Sequence, residues 1–420
     1  MREMKDSGLK WIGKIPSSWN VMPNKYLMKK KKVICPVYKG EDILSLTMKG
    51  VIVRDLDAGG KMPTSFDGYQ RLEPGNLLMC LFDIDVTPRC IGLIKQAGLS
   101  SPAYSQFELN DMGNADYYCY YYTMLDNDKT LLHLAKNLRH SLTEDQLGAI
   151  SVIVPPVQEQ KKIADFLDAK CSEIDALSAD IQTQIDILEQ YKRSVITEAV
   201  TRGLNPDVEM KDSGTPWCPL IPIHWKYANP KALFTQRLDR AYPGDKQLTA
   251  SQEYGVIYQD EYMELTGTKI VTVMKDFSIL KHVEPNDFVI SMRSFQGGLE
   301  YSERRGSISS AYVMLIPNNE YVYPPFYRWF FKSSKYINAI QSTSNLVRDG
   351  QAMRYANFAQ VPLFIIPLDE QKQISEYLDE KVRKIDEILK SKNNQLEILA
   401  EYKKSLIYEY VTGKKEVPSI

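Results

Sequence analysis

The sequence predicts an α+β chain with a pseudo-twofold internal repeat. Two similar globular domains are expected, separated by two long antiparallel helices that form a coiled coil. Three observations predict this. The first is a duplicated lead segment. Lys5-Asp6-Ser7-Gly8, Trp11, Ile15-Pro16 and Trp19 recur as Lys211-Asp212-Ser213-Gly214, Trp217, Ile221-Pro222 and Trp225, at one offset of 206 residues (from 5 to 211). Four of the five tryptophans lie in these two segments. The second is a duplicated distal stretch. Residues 156–200 align without gaps on 367–411, an offset of 211 residues (from 156 to 367), with 19 of 45 positions identical. A period this long marks a domain pair rather than a solenoid. The third is the apolar spacing inside that stretch, which alternates threes and fours.

The domains divide as follows. Residues 1–154 form a first globular domain, with its lead segment at 1–20, and 155–203 a central long helix. Residues 204–365 form a second globular domain, with its lead segment at 207–225, and 366–420 a second long helix and tail. The central helix starts near Gln158, after the stop signal Pro155-Pro156, and runs to Thr201 without Pro or Gly. Its stripe includes Ile163, Leu167, Ile174 and Leu188. The second helix spans 369–412 with Ile374, Leu378, Ile385 and Leu399 on its stripe. Lys192, Lys392 and Lys403 interrupt the seams, and polar seam residues fix register. Gly203 and Gly413 end the helices. Each helix should be about 65 Å long at about 1.5 Å per residue. Neither can bury its stripe alone. They pack either separately, one on each domain, or on each other; their shared period, length and interruptions favour the mutual seam.

The globular stretches read as mixed α/β. Strands are expected at 76–82, 117–124, 287–292 and 311–316, which are rich in aromatic and β-branched residues. Short helices are expected at 129–139 and 325–340. The two stretches share landmarks (Glu73-Pro74-Gly75-Asn76 with Glu284-Pro285-Asn286-Asp287; Ser101-Pro102-Ala103-Tyr104 with Ser309-Ser310-Ala311-Tyr312) and differ between them.

Composition narrows the class. Hydrophobic content of 44% and charged content of 25% are ordinary for a globular chain of 420 residues. No apolar run reaches the ~18 residues of a membrane span, and the first residues lack a signal-peptide stretch. The 6 cysteines are scattered without a Cys-x-x-Cys pair, which points to free thiols and the cytoplasm. Net charge is −1, so DNA binding would depend on local patches. Nucleotide-phosphate loops and metal-ligand spacing among the 4 His are absent from the sequence, as is an Asn/Asp-Pro-Pro-Phe/Tyr base-flipping motif. Pro206-Asp207-Val208-Glu209-Met210-Lys211 imitates an acidic nuclease set, but its carboxylates are too close in sequence and lie in a linker. Recognition, not catalysis, is the expected role.

The quoted motifs resemble those of the specificity subunits of type I restriction–modification enzymes. The resemblance rests on Lys5-Asp6-Ser7-Gly8 through Trp19, on Pro155-Pro156-Val157-Gln158-Glu159-Gln160 with Ile163-Ala164 and Leu167-Asp168, and on Tyr191-Lys192-Arg193-Ser194 through Gly203. The second copy departs at Cys218-Pro219 and at Leu368-Asp369. The resemblance implies two target-recognition domains, each reading half of a bipartite site on double-stranded DNA. It implies helices that space the halves and dock two modification subunits, with two restriction subunits in the full complex. S-adenosylmethionine would be held by the modification subunit, ATP and Mg²⁺ by the restriction subunit, and none by this chain. A self-contained methyltransferase or nuclease, and a coiled-coil scaffold that never meets DNA, are the competing readings.

DNA contacts are sought among Arg, Lys, Gln and similar side chains on loops. In the first domain these are Arg89, Lys95, Arg139 and His140; in the second, Arg293, Gln296, Arg348, Gln351 and Arg354. Lysines 29–32 are a candidate phosphate patch, with a solvated face the slightly favoured reading. If helix length sets the gap between half-sites, inserting one heptad into both helices should change the gap in the methylated motif. An unchanged gap, read by methylation mapping, sinks the ruler idea.

Overall fold

A computed structural model describes the chain except for residues 1, 58–62, 88, 135–140, 271, 273–276, 292–293, 344–352 and 419–420. It contains two compact units. Unit one holds residues 1–182 and 394–420; unit two holds 183–393. Each unit therefore contains the first part of one long helix and the last part of the other.

The long helices run Val157–Arg202 and Leu368–Val411, within a residue or two of the expected bounds. Both end on a glycine in the left-handed region, Gly203 at φ 75° and Gly413 at φ 70°. In unit one, Ile163, Leu167, Cys171 and Ile174 share a core with Leu406, Ile407, Tyr410 and Val411. In unit two, Val195, Ile196, Ala199 and Val200 share a core with Ile374, Leu378 and Val382. The mutual seam is the arrangement adopted. Seam lysines bridge the helices: Lys403 Nζ stands 2.6 Å from Asp175 Oδ1 in unit one, and Lys192 Nζ 2.5 Å from Asp386 Oδ1 in unit two. These pairs are copies of one another at the 211-residue offset. Both are largely exposed, so each contributes about 0–1 kcal/mol; they specify register more than stability.

The sheets repeat strand for strand. Unit one has a four-stranded antiparallel sheet built from Met28–Lys31, Ser105–Leu109, Leu77–Met79 and Ile91–Leu93, in that spatial order. Unit two repeats that order with Phe234–Arg237, Val313–Pro317, Phe288–Ile290 and Glu300–Tyr301. A hairpin accompanies each sheet, Leu44–Thr47 with Gly50–Val53 and Leu248–Ser251 with Gly255–Tyr258. The expected strands at 76–82, 287–292 and 311–316 fall on members of these sheets.

Two expectations need correction. Residues 117–124 are not a strand but part of the helix Ala115–Asn127. Asn114 caps it, its side chain accepting from the Tyr117 amide at 2.9 Å. Tyr117, Tyr118, Tyr121 and Tyr122 are all fully buried, a three-to-four spacing that aromatic β-propensity concealed. The single helix expected at 325–340 is two, Pro324–Phe330 and Ser334–Ser342. The amides of Lys332 and Ser333 turn back to Trp329 and Phe330, and Ser333 takes extended backbone as the cap of the second helix. Of the helix expected at 129–139, Thr130–Leu134 is helical; 135–139 lie outside the described residues.

The duplicated motifs now have physical roles. In the lead segments, Asp6 and Asp212 accept from the amides of Gly8 and Gly214 at 2.9 and 2.8 Å. Both glycines have φ above 70°, which explains Asp-Ser-Gly at the turn of each hairpin. Trp19 and Trp225 are fully buried, and their indole N–H groups donate to Glu159 and Glu370 at 2.9 and 3.0 Å. The next residue but none is Gln160 or Gln371, also fully buried. Gln160 accepts from the Asn114 amide at 2.7 Å and donates to the carbonyls of Met112 and Pro155. Gln371 treats Tyr323, Tyr321 and Ile366 in the same way. Asp168 accepts from Tyr120 and Asp379 from Trp329, each at 2.7 Å. The Glu-Gln pair is thus a clamp that fixes each long helix to its lead segment and to the globular domain.

A Gln160→Leu variant leaves one amide and two carbonyls without partners and should lose about 2–4 kcal/mol. Gln158→Leu, at an exposed neighbour, should stay within about 0.5 kcal/mol. Urea denaturation compares them; equal losses would remove the clamp from this account.

Candidate nucleic-acid interface

The residues expected to touch DNA fall into three groups. Arg139, His140, Arg293, Arg348 and Gln351 lie outside the described residues. Lys95, Gln296 and Arg354 are exposed. Arg89 is engaged within unit one. Its guanidinium donates to Asn127 Oδ1 at 3.0 Å and stands 3.4 Å from Asp126 Oδ2. Asp126 is 2% exposed and also accepts from the Cys90 amide and Lys129, both at 3.0 Å. Arg89 therefore neutralises a buried carboxylate.

Gln296 sits on a short helix, Ser294–Gly297, just beyond the strand Phe288–Ile290. Arg354 precedes the helix Tyr355–Phe358, its amide donating to Asn357 Oδ1 at 3.0 Å. Neither position is brought against the other by any described contact. The lysine run lies on the strand Met28–Lys31 and its extension. Lys30 is ion-paired with Glu144, and Lys31 stands 2.6 Å from Glu73 and 3.5 Å from Glu108. Two of its four ammonium groups are thus paired with carboxylates from three other segments.

Lys95 lines a cleft of about 690 Å³ in unit one. One wall is the hairpin turn Met48, Lys49 and Gly50; another is the tyrosine helix with Asp116 and Tyr120; the floor is the long-helix pair with Asp168, Asp175 and Lys403. Burial and the neighbouring Asp168 push the Asp116 carboxyl up. Unit two has a cleft of about 550 Å³ in the corresponding place. Its walls are the hairpin residues from Gln252 to Ile257, the edge strand with Glu300 and Tyr301, the helix bearing Arg328, and the long helices with Lys192 and Asp386. Burial pushes the Glu300 carboxyl up despite Lys332 at 2.7 Å.

Lys49, Lys246 and Arg304 escaped the sequence reading. Lys246 and Arg304 flank the Tyr258 ring at 5.3 and 5.2 Å from its centroid. The hairpin turns carried the only available signal, a glycine (Gly50, Gly255) with positive φ three or four residues after Thr47 or Ser251. His282 is buried between Asp245 and Glu284 at 2.7 and 2.8 Å, tying a loop to a strand.

Ile163, Leu167, Ile174, Ile374, Leu378 and Ile385 are buried, and Leu188 and Leu399 half-buried. Burial pushes the Cys90 thiol up to about 12 and those of Cys119 and Cys218 to about 11, which disfavours thiolate chemistry. Among the described residues, no group of three or more His, Cys, Asp or Glu is placed to hold a metal ion, and no helix is long and apolar enough to cross a membrane.

Comparison with known proteins agrees with this architecture. A domain family described as "Type I restriction modification DNA specificity domain" matches residues 101–186, the stretch that carries the tyrosine helix, the Glu-Gln clamp and the start of the central helix. The putative type I restriction enzyme MjaX specificity subunit of Methanocaldococcus jannaschii is 23% identical over 283 residues, covering 66% of this chain and 62% of that protein. The EcoBI specificity subunit of Escherichia coli is 22% identical over 274 residues, covering 62% and 57%. The matched region thus spans about three fifths of these relatives. A chain from a solved type I R-M system, described for complex assembly and conformational transition, superposes with a TM-score of 0.68 at 11% identity, covering 96% of this chain and 99% of that one. The HsdS subunit from Thermoanaerobacter tengcongensis gives 0.50 at 12% identity, covering 96% and 98%. Residues 101–186 thus match a type I restriction–modification DNA specificity domain, and the chain as a whole is similar in fold to these solved structures.

Proposed function

We propose that this chain is the DNA sequence-specificity subunit of a type I restriction–modification complex, with no reaction centre of its own. Each globular domain reads one half of a bipartite site in double-stranded DNA, and the paired helices space the halves and dock two modification subunits. Two restriction subunits complete the assembly. S-adenosylmethionine belongs to the modification subunit, and ATP and Mg²⁺ to the restriction subunit.

One observation carries this reading. The two units keep the same strand order and the same clamp, while their hairpins, edge strands and loops differ in sequence. A scaffold held constant around changed surfaces suits two readers of different sequences. Base discrimination needs a few Arg, Lys, Gln or Asn side chains on such surfaces, each good bidentate pair giving about 1–3 kcal/mol. Arg293 and Gln296 in the second domain, and Lys95 in the first, remain the proposed contacts. The domains are taken as 1–154 and 204–365, with 155–203 and 366–420 as the helical spacers.

Co-expression with the modification subunit, followed by mapping methylated adenines across a genome, tests the reading. A split motif with a fixed gap is expected. Methylation or cleavage by this chain alone would overturn it, as would a complex lacking salt-dependent, sequence-selective DNA binding.

The contact residues are tested one half-site at a time. Arg293→Ala or Gln296→Ala should weaken or relax one half of the motif by about 1–3 kcal/mol and spare the other. Equal loss at both halves would indicate a folding defect instead. Arg89→Ala should behave as a stability variant, since it leaves Asp126 buried with one cation fewer. Thermal melting should fall before any change in the methylated motif.

A further inference from the structure

The clefts of the two units hold different chemistry. Glu300 lines the unit-two cleft and is 2% exposed. One of its carboxylate oxygens meets Lys332 Nζ at 2.7 Å. The other, Oε2, is buried and has no hydrogen-bond partner among the described residues. Arg328 lines the same cleft. Its Nη2 pairs with Asp379, but its Nε is buried and also without a partner among the described residues. A buried acceptor and a buried donor are thus open in one cleft, and leaving either unmade is costly. Burial pushes the Glu300 carboxyl up, so Lys332 alone does not satisfy it.

Folding does not ask for these groups. Glu300 lies opposite Val289 in its sheet, as Gly92 lies opposite Leu78 in unit one. Gly92 lines the unit-one cleft, and a Cβ there would come within 2.7 Å of Leu46. The unit-one hairpin therefore closes the spot that holds a carboxylate in unit two. Arg328 follows by five positions Tyr323, whose amide Gln371 binds; Cys119 follows by five positions Asn114, whose amide Gln160 binds. The scaffold folds around Gly and Cys in one unit and around Glu and Arg in the other, so it requires neither charge.

The lining sets what the cleft holds. Its volume, about 550 Å³, is that of a small-molecule site. Tyr301 and Trp329, each half-buried, offer aromatic surface beside the open groups. The Arg328 guanidinium stands 5.0 Å from the Trp329 ring centroid and 6.0 Å from that of Tyr301. All four cations of the lining, Lys192, Arg304, Arg328 and Lys332, are paired with carboxylates, so the cleft offers little to a phosphate. A fitting ligand brings a donor for Glu300, an acceptor for Arg328 and a flat body for the rings.

We infer that the unit-two cleft is a binding site for an amino-substituted nucleobase of the adenine or cytosine kind. Its exocyclic amino group donates to Glu300 Oε2, its ring nitrogen accepts from Arg328 Nε, and its plane packs on Trp329 and Tyr301. The unit-one cleft, with Gly92 and Cys119 at those places, takes no such base. The base arrives as a free nucleoside or turned out of a DNA duplex; the recognition chemistry is the same.

Isothermal titration calorimetry of the full chain tests the site, with adenosine against inosine and cytidine against uridine. At least one amino nucleoside should bind once per chain. Its partner, which carries a carbonyl in place of the amino group, should bind about tenfold more weakly or worse. Glu300→Gln should cut that preference to about threefold or less, because an amide can turn its N–H groups toward a carbonyl. Arg328→Lys, which keeps the charge and removes Nε, gives a second reading and should weaken the amino nucleoside by about tenfold. Cys119→Ala, in the unit-one cleft, should change nothing, and melting temperatures show that each variant is folded. The site is overturned by no binding of either amino nucleoside at millimolar concentration, by equal affinity for the carbonyl partners, or by an unchanged preference in folded Glu300→Gln. The source of the base is read from the motif methylated by the complex carrying Glu300→Gln, an arm that rests on the functional reading above. An unchanged motif assigns the cleft to a free nucleoside; relaxation of one half-site alone assigns it to a base turned out of the duplex. A wild-type complex that methylates no split motif would overturn the functional reading and leave the nucleoside site standing.

Discussion

The structure depends on an exchange of helix ends. Unit one cannot close its core with residues 1–182 alone; Leu406, Ile407, Tyr410 and Val411 complete it from the far end of the chain. Unit two takes Val195 through Val200 from the helix that began in unit one. Packing is close where each helix ends. A Cβ on Gly413 would come within 2.7 Å of the Trp19 ring, and one on Gly203 within 2.8 Å of the Glu370 carboxylate. Each terminal glycine is required twice over, by its positive φ and by the clamp that abuts it. Tryptophan, glutamate, glutamine and glycine are therefore copied as a set. Changing one would leave a buried polar group unpaired or force a side chain into the core.

Much of this was legible in the sequence because it was written twice. The helices, their seams and their terminal glycines follow from spacing and from Pro and Gly alone. The register followed less directly. Lys192 and Lys403 read as seam interruptions, and only the structure shows each one reaching the other helix's aspartate. The tyrosine helix was hidden because β-propensity describes a half-buried pleated surface, and residues 117–124 have the composition of one. Their actual environment is fixed from outside the segment. Asn114 caps the helix, Gln160 accepts from the Asn114 amide, and Tyr118 donates to the carbonyl of Ile153. No window on the sequence contains all of these partners.

Charged side chains show the same limit more sharply. Lysines 29–32 are the densest basic run, yet Glu73, Glu108 and Glu144 from distant segments pair with two of them. Arg89 occupies a loop that suits a base contact, yet Asp126, 37 positions later, holds it. In both cases a carboxylate remote in sequence decides what a cation does. Sequence position says where a charge sits on the chain; the fold says whether it is already paired.

This bears on how a chain of net charge −1 could act on DNA. Non-specific affinity for a duplex comes from phosphates neutralised by Lys and Arg, and it falls steeply with salt. Here several cations are already paired within the units, at Arg237 with Asp287, Lys332 with Glu300 and Lys31 with Glu73. A surface with no net excess of cations is poorly suited to holding DNA by electrostatics alone. It is better suited to discrimination, which needs only a few unpaired groups held rigidly at base edges. A reader of this kind gains from partners that supply the phosphate contacts. On the proposed reading, the copied helices and the divergent domains would answer separate demands: the first would meet the same partner twice, and the second two different sequences once each.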